Sequence, residues 1–268
     1  AGPGASLPLP PDGRTLADGT YSYQARVIDL AGNVAISPAP TIVTVDTSAP
    51  ITAILIDSID FDSGTSASDF LTYDNNPTIF GHLDATLGAG ETAQISLDGG
   101  TSWATITVDG TGWSHPAPLM TEGDHTVIVR VVDAVGNAGP TDTQIVTVDF
   151  TSPTQSATID SFGDDVGPIV GNQPNGGVTD DKSPSLHGTL DSPAEAGQVV
   201  NIYEGGTLVG SVALTAGDTD WSFSGLTGLA DGTHTYSVTV ADEAGNVGAR
   251  SAGFSLIVST APPAVTTL

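Results

Sequence analysis

Residues 122–153 read EGDHTVIVRVVDAVGNAGPTDTQIVTVDFTSP and decide the fold of this chain. A turn is followed by an alternating strand over residues 125–132, a loop at 133–137 and a second strand at 144–148. The same pattern returns at residues 18–50 (DGTYSYQARVIDLAGNVAISPAPTIVTVDTSAP) and at residues 231–262 (DGTHTYSVTVADEAGNVGARSAGFSLIVSTAP). The loop aspartates Asp29, Asp133 and Asp242 lie a little over one hundred residues apart, the length of a whole domain rather than of a solenoid turn. The sequence therefore predicts a tandem array of similar domains.

The apolar residues of these strands recur with a period of two. The positions predicted to face the core are Tyr23, Ala25, Val27, Val43 and Val45 in the first repeat, Val127, Val129, Val131, Val146 and Val148 in the second, and Tyr236, Val238, Val240, Leu256 and Val258 in the third. The residues between them are mostly polar, as in antiparallel sheets with one buried face. About seven strands in roughly 100 residues is the size of an immunoglobulin-like sandwich. The fold class is therefore predicted as all-β, with tandem immunoglobulin-like antiparallel β-sandwiches end to end.

Four segments are predicted. Residues 1–46 hold only the last strands of a repeat, truncated or split, and 260–268 form a linker to a following repeat. Residues 47–149 and 150–259 are complete repeats, with first strands predicted at 51–56 in the second repeat and middle strands at 78–83 and 185–190. The Pro- and Gly-rich residues 1–11 are expected to be loop. The chain is expected to be part of something longer.

Composition limits the partners. The chain has 31 acidic and 5 basic residues, a formal net charge of −26. Nucleic acid and anionic lipid surfaces both need a basic patch, so neither is expected as a partner. No stretch approaches the roughly 20 apolar residues of a membrane helix, and no direct membrane insertion is expected. There is no cysteine, so disulfides do not hold the domains. We expect a monomer whose partners are its own neighbouring repeats and cations.

Several motifs resemble the bacterial Ig-like repeats of giant Gram-negative adhesins, of the RTX or biofilm type secreted by type I systems. They are DGTH at 231–234, DEAGN at 242–246, VDFTSP at 148–153, DSFGDDVG at 160–167 and TDDKSP at 179–184. The resemblance covers nearly the whole chain. It implies an extracellular stalk segment on a Gram-negative cell surface, supporting adhesion or biofilm formation and stiffened by calcium at the domain junctions.

The resemblance is closest in the third repeat. The second repeat departs from it, because Asp60-Phe61-Asp62-Ser63-Gly64 replaces the Gly-Asp-Asp-Val-Gly run. Ser259 stands where Asp46 and Asp149 stood, which weakens any calcium site at the last junction.

Sandwich topology brings acids from separate elements to each junction. The outgoing linker of one repeat should arrive beside the loops of the next, and Ca²⁺ takes six to eight oxygen ligands. The first predicted set is Asp46, Asp84, Glu91 and Asp133, and the second is Asp149, Asp191, Glu195 and Asp242. A further cluster is predicted in the first long loop of each repeat, approached by Glu122 and Asp231: Asp57, Asp60, Asp69 and Asp74 in the second repeat, and Asp160, Asp164, Asp165, Asp180 and Asp181 in the third.

An alternative interpretation stays open, since Asp and Gly are also ordinary turn formers. Catalysis is not expected: His125 and His234 occupy equivalent positions near a strand start, as does Tyr21, which favours packing over acid–base work. A glycosidase would need two carboxylates facing each other in a cleft. Trp113 and Trp221 are equivalent and predicted to pack in cores. Trp103 has no equivalent in the third repeat, so a ligand-binding module for carbohydrate or protein beside a split domain is the alternative function.

Overall fold

The computed structural model describes residues 15–262 and is built from β-strands and connecting loops. No helix in that range is long and apolar enough to span a membrane. The predicted loop at residues 1–11 and most of the predicted linker at 260–268 lie outside the described residues.

The described part of the first repeat consists of two small antiparallel sheets. Its strands are β1 (Gly19–Tyr23), β2 (Arg26–Ile28), β3 (Val34–Ile36) and β4 (Thr41–Val45). β1 pairs with β4, and β2 pairs with β3. The prediction that this repeat buries Ala25 and Val27 is wrong for the described chain, and Tyr23, Val43 and Val45 are only half-buried. These strands form two-stranded ribbons, which offer too little surface to enclose a core.

The second repeat contains two larger sheets. Its strands are β5 (Ile54–Ile59), β6 (Leu71–Thr72), β7 (Thr78–Leu83), β8 (Thr92–Ser96), β9 (Ala104–Thr105), β10 (Val108–Asp109), β11 (Gly112–Pro116), β12 (Gly123–Val132) and β13 (Ala138–Val148). One sheet has the order β10-β11-β7-β5 and the other β6-β13-β12-β8-β9. The predicted inward residues of β12 and β13 are all buried, which confirms the period-two interpretation.

The third repeat has the same plan. Its strands are β14 (Ala157–Asp164), β15 (Gly171–Gln173), β16 (Gly177–Thr179), β17 (Ser185–Leu190), β18 (Val199–Glu204), β19 (Thr207–Ala213), β20 (Asp220–Phe223), β21 (Gly232–Ala241) and β22 (Phe254–Val258). The sheet orders are β15-β14-β17-β20 and β16-β22-β21-β18-β19. Phe162, Leu186, Tyr236 and Leu256 are fully buried in one apolar cluster to which both sheets contribute. The chain is therefore all-β with two tandem immunoglobulin-like sandwiches.

Each complete repeat has a tryptophan packed over a glycine of the neighbouring strand. Trp113 and Trp221 are each 5% exposed, as predicted for core residues. A Cβ on Gly81 would lie 2.3 Å from the Trp113 ring, and a Cβ on Gly188 would lie 2.5 Å from the Trp221 ring. These two glycines are required by close approach rather than by an unusual backbone angle.

The first strand of the second repeat begins at Ile54 rather than at the predicted residue 51. The amide of Ala53 donates to the Asp84 carboxylate over 2.9 Å. The Asp84 amide donates in return to the Ala53 carbonyl over 3.1 Å, so these two residues are bonded to each other just before β5 begins.

Two compact units are present. One joins the described residues up to Ile56 with Gly81–Ser114 and Val127–Thr143, and the other joins Asp57–Phe80, His115–Thr126 and the described residues from Gln144 onward. The linker that leaves the first repeat lies in one unit together with the loop at 133–137. The linker that leaves the second repeat lies in the other unit together with the loop at 242–246.

Candidate functional site at the repeat junctions

The Asp-x-x-Gly-Asn loop after the penultimate strand is organised by its own aspartate. Asp133 Oδ1 accepts from the amides of Val135, Gly136 and Asn137 at 2.7–2.9 Å, and Asn137 Nδ2 donates to Asp133 Oδ2 over 2.7 Å. The side-chain and backbone bonds between Asp and Asn recur in the other two repeats, at Asp29–Asn33 and Asp242–Asn246. The motif is therefore a local hydrogen-bonded structure, as Asp in turns often is.

The asparagine of this loop also holds the incoming linker. Asn137 Nδ2 donates to the carbonyl of Asp46 over 3.0 Å, and Asn246 Nδ2 donates to the carbonyl of Asp149 over 2.8 Å. We call this contact the asparagine clamp. In each junction the backbone carbonyl of the linker aspartate accepts a hydrogen bond from the next repeat.

The residues that directly follow the linker aspartate are held by the acid of the turn that opens the penultimate strand of their own repeat. Thr47 donates its amide and hydroxyl to Asp18, at 3.0 and 2.8 Å. Glu122 accepts from the Phe150 amide over 3.1 Å and from the Thr151 hydroxyl. The bonds recur between Thr260 and Asp231. We call this contact the acid clamp, and it accounts for Glu122 and Asp231, which the sequence assigned to a basal cation cluster.

Equivalent loop aspartates have opposite pKa shifts. Burial raises the pKa of Asp242, and the nearby charge of Asp149 raises it further, against the bonds from Asn246. At Asp133 burial also acts upward, but the bonds from Asn137, Val135 and Gly136 prevail and lower the pKa. The ionised form of Asp242 is therefore disfavoured at the second junction, as expected for a partly buried carboxylate that has another carboxylate nearby.

Three of the four acids predicted for the second junction come together. Asp149, Glu195 and Asp242 line one cavity of about 480 Å³. Asp69 and Glu243, which the sequence did not assign to this junction, line it as well. Every titratable side chain in this wall is a carboxylate, so its donor chemistry fits a hard cation such as Ca²⁺.

The remaining junction acids are engaged in local bonds. Asp191 accepts from the Ser156 amide at 3.0 Å and from its hydroxyl at 2.7 Å. At the first junction Asp46 accepts from the Ser48 amide at 3.1 Å, and Glu91 accepts from the Gly88 amide at 2.8 Å. Asp84 caps the start of β5 as described above.

Of the acids predicted in the first long loop of the second repeat, Asp57 lies in strand β5 instead, so its predicted place is wrong. Asp60 Oδ1 accepts from the Thr78 amide over 2.8 Å. Asp74 accepts from the Asn76 amide over 3.0 Å. Asp62, which was not among the predicted ligands, lies beside Asp69. Burial raises the pKa of Asp62, and the neighbouring Asp69 raises it further.

The equivalent acids of the third repeat differ in burial, and Asp160 and Asp164 lie in strand β14 rather than in the predicted loop. Asp164 and Asp181 are buried and accept from the amides of Val166 and Ser183 at 3.1 and 2.7 Å. Asp160 accepts from the Thr158 hydroxyl over 2.9 Å, while Asp165 and Asp180 are exposed. Across residues 15–262, no group of three or more Asp, Glu or His side chains is arranged to hold a metal ion as it stands.

The strand-start residues Tyr21, His125 and His234 share one contact. Each bonds from its side chain to the carbonyl four residues upstream, at Ala17, Thr121 and Ala230, over 2.7–2.8 Å. His234 Nδ1 also lies 2.6 Å from Glu204 Oε1. The structural interpretation of these positions is confirmed, and its physical form is a corner bond like that of tyrosines in Greek-key sandwiches.

Trp103, the predicted ligand contact, is engaged within its own repeat. The guanidinium carbon of Arg130 lies 3.7 Å from the ring centroid, and Trp103 Nε1 donates to the Gly100 carbonyl over 3.1 Å. One ring face is therefore covered by a cation–π contact.

One family model matches the chain. The bacterial Ig-like domain matches residues 50–150 and again residues 158–260, together more than half of the sequence. A comparison with curated proteins finds no match.

Solved structures with some similarity include the fibronectin(III)-like modules of Clostridium thermocellum CbhA, 12% identical over 77% of this chain and 94% of that chain, with a TM-score of 0.45. The BSP domain structure of a biofilm associated protein is 16% identical over 77% of this chain and 30% of that chain, with a TM-score of 0.25. A 1.5-MDa bacterial ice-binding adhesin is 21% identical over 80% of this chain and 67% of that chain, with a TM-score of 0.33. Identity is low in every case, and the functions of these proteins do not transfer to this chain.

Proposed function

We propose, from the fact that this chain belongs to the bacterial Ig-like domain family, that it is an extender segment of a large bacterial surface adhesin. Its role is mechanical: it spaces a distal binding region from the cell and supports adhesion or biofilm formation. An extracellular position on a Gram-negative cell and secretion by a type I system belong to the same proposal.

The observation that carries the proposal is the repeated junction. Both complete repeats receive the preceding linker through an asparagine clamp, and each described linker is tied to its own repeat through an acid clamp. A chain that only tethered independent domains would not need such bonds at every linker. Linkers that are hydrogen-bonded to the repeats on both sides would keep those repeats at a set spacing, as a spacer requires.

Calcium at the second junction is part of the proposal. Asp149, Glu195 and Asp242 would hold the ion, with Asp69 and Glu243 on the same cavity wall. Burial, and to a smaller extent the charge of Asp149, raise the pKa of Asp242, and a bound cation would offset both effects. The ion would neutralise the charges of these carboxylates and would take no part in any reaction. Extracellular sites of this kind bind at about 10⁻⁴–10⁻³ M.

The test is thermal unfolding of the chain in calcium and in excess chelator, for the wild type and for Glu195→Gln. Calcium should raise the melting temperature of the wild type, with a half-effect at about 10⁻⁴–10⁻³ M. Glu195→Gln should need more calcium for the same increase. The matched control is Asp109→Asn, which removes one charge from an exposed hairpin turn that does not line this cavity.

If calcium leaves the wild-type melting temperature unchanged, the calcium part of the proposal is wrong. If Asp109→Asn weakens the response as much as Glu195→Gln, the effect is one of net charge rather than of a site. The spacer role has its own test: small-angle scattering should give one fixed set of dimensions rather than those of freely moving domains.

A further inference from the structure

The long loop of the second repeat directly contacts the Asp-x-x-Gly-Asn loop of the third. Ser63 Oγ donates to the carbonyl of Ala244 over 2.5 Å, and the Thr65 amide donates to the carbonyl of Glu243 over 3.4 Å. Both Ser63 and Ala244 are buried. The contact uses a hydroxyl and backbone groups and no carboxylate.

Two glycines let the backbones approach. A Cβ on Gly64 would lie 1.9 Å from the Glu243 carbonyl oxygen, and a Cβ on Gly245 would lie 2.9 Å from the Gly64 nitrogen. Both glycines have left-handed backbone angles, with φ of 88° and 93°. A side chain at either position would therefore strain the left-handed backbone and would also clash with the opposing loop.

Hydrogen bonds and ring contacts within the same loop of the second repeat hold residues 63–65 in place. The Ser63 amide donates to the Leu71 carbonyl over 3.2 Å, and the Tyr73 amide donates to Ser63 Oγ over 2.9 Å. The Phe61 and Tyr73 rings meet edge to face with centroids 5.0 Å apart. The contact surface is therefore held in shape by bonds within its own repeat.

The contact is selective between the loops of this chain. Ala244 is 0% exposed, whereas Val135, at the same position of the second-repeat loop, is 55% exposed. On the other side, the third-repeat position equivalent to Ser63 is Val166, which has no hydroxyl to donate. The contact therefore requires a small residue in the Asp-x-x-Gly-Asn loop of one repeat and a serine in the long loop of the preceding repeat.

We propose that residues 63–65 are a recognition surface for an Asp-x-Ala-Gly-Asn loop of the following repeat, and that this contact fixes the third repeat on the second without a metal ion. The partner is defined by an alanine and a left-handed glycine at its centre. This inference goes beyond the spacer role and is independent of calcium in the neighbouring cavity.

The absence of cysteine from the chain permits a direct test. Spin labels on cysteines introduced at the exposed residues Leu119 and Ser224, which lie in the same compact unit as the contact, report the distance distribution between the second and third repeats. The measurement is made on the full chain in excess chelator. Ser63→Val and Gly245→Ala should broaden the distribution.

Two controls match these variants. Gly136→Ala changes the same position of the second-repeat loop, where φ is 99° and no atom lies within 4 Å of the added Cβ. Val166→Ser places a serine at the equivalent position of the third repeat. Both controls should keep the narrow wild-type distribution. Circular dichroism checks that each variant is folded, and Ser63→Val preserves the test if Gly245→Ala does not fold.

The proposal is overturned if Ser63→Val leaves the distribution as narrow as in the wild type. It is also overturned if the wild type is broad in chelator and narrows only with calcium, since the metal rather than the loop contact would then fix the repeats. That second outcome would leave the calcium-dependent spacer intact, so the two proposals fail separately.

Discussion

Asn246 joins two parts of the chain through one side chain: its Nδ2 donates to the carbonyl of Asp149 over 2.8 Å and to Asp242 Oδ2 over 3.0 Å. The first bond fixes the linker and the second fixes the loop that receives it. Asn137 makes the same pair of bonds to Asp46 and Asp133. The asparagine of the motif is thus a junction residue, and the aspartate positions it.

Replacement of Asn246 by alanine should therefore destabilise the chain by about 1–3 kcal/mol, the usual effect of leaving polar groups without their partner in a buried site. Urea unfolding followed by circular dichroism measures the change. The control is Asn76→Ala, at an exposed loop position. Equal midpoints for Asn246→Ala and Asn76→Ala would show that the clamp contributes no stability.

His234 should make stability depend on pH near neutrality. Burial opposes the charged imidazole, but the bond to the Ala230 carbonyl and the contact with Glu204 outweigh burial and raise its pKa above the ordinary value of about 6.5. A raised folded-state pKa stabilises the fold below about pH 6.5, and this contribution is lost as pH rises through the folded-state pKa.

Burial lowers the pKa of His115 and acts in the opposite direction in every variant, so the test is a comparison. From pH 5.5 to 8.5 the melting temperature of the wild type should accordingly lose more, or gain less, than those of His234→Gln and Glu204→Gln. The control is His125→Gln, which removes the equivalent corner bond from the second repeat. An unchanged pH slope in Glu204→Gln would mean that the Glu204 carboxylate does not act on His234.

Gly188→Ala should severely destabilise the third repeat. The added Cβ would lie 1.9 Å from the Thr158 carbonyl oxygen and 2.5 Å from the Trp221 ring, so either the strand pair or the ring must move. Overpacking of this kind costs about 1–3 kcal/mol or more. Gly81→Ala should do the same in the second repeat.

The comparison variant for these glycines is Gly112→Ala, whose nearest neighbour would be the Asp109 carbonyl oxygen at 3.7 Å. Tryptophan fluorescence during denaturant unfolding reports both repeats. If Gly188→Ala unfolds at the same denaturant concentration as Gly112→Ala, the tryptophan–glycine packing does not constrain the sheet.

Asp62→Asn should stabilise the chain at neutral pH. Burial and Asp69 raise the pKa of Asp62, so its ionised form is disfavoured in the fold, and this penalty grows as pH rises through the folded-state pKa. An asparagine oxygen can still accept from the Phe70 amide, a bond of 3.0 Å that supports the left-handed Phe70, with φ of 62°.

The gain should be visible as a higher melting temperature at pH 7 and should vanish below about pH 4, where the aspartate is itself protonated. Asp165→Asn, at an exposed position, is the control for removing one charge from a very acidic chain. A gain at pH 7 that is equal in both variants would indicate general repulsion instead of the Asp62–Asp69 pair.

The sandwich architecture was predictable because period-two patterning directly reflects which side chains are buried. Val127, Val129 and Val131, like Tyr236, Val238 and Val240, are buried as the alternation predicts. The same pattern failed in the first repeat, because a strand buries Val27 only when a second sheet covers it. Alternation identifies the apolar face of a strand, but it does not show whether a second sheet is present to cover that face.

The candidate site was predictable in place but only partly in chemistry. Asp149, Glu195 and Asp242 line one cavity, as the topology suggested, while their role as metal ligands stays a prediction. Sequence reasoning missed that Asp133 and Asp242 bond first to their own loops, although the asparagine four residues later was the available signal. Ser63 was visible as a departure from the motif, but its partner Ala244 is 181 residues away, and no local pattern joins such positions.

The asparagine clamp and the acid clamp affect how the chain would respond to a pulling force along its length. The linker after the second repeat is bonded to Glu122 at Phe150 and Thr151, and to Asn246 at the Asp149 carbonyl. Because the bond to the third repeat and the bonds to the second repeat attach to neighbouring residues, little free chain separates the two points of attachment. A pull along the chain would therefore reach the β-sheets at once instead of first straightening a loose tether. The segment should respond as a stiff, nearly inextensible element until a clamp ruptures or a sandwich unfolds.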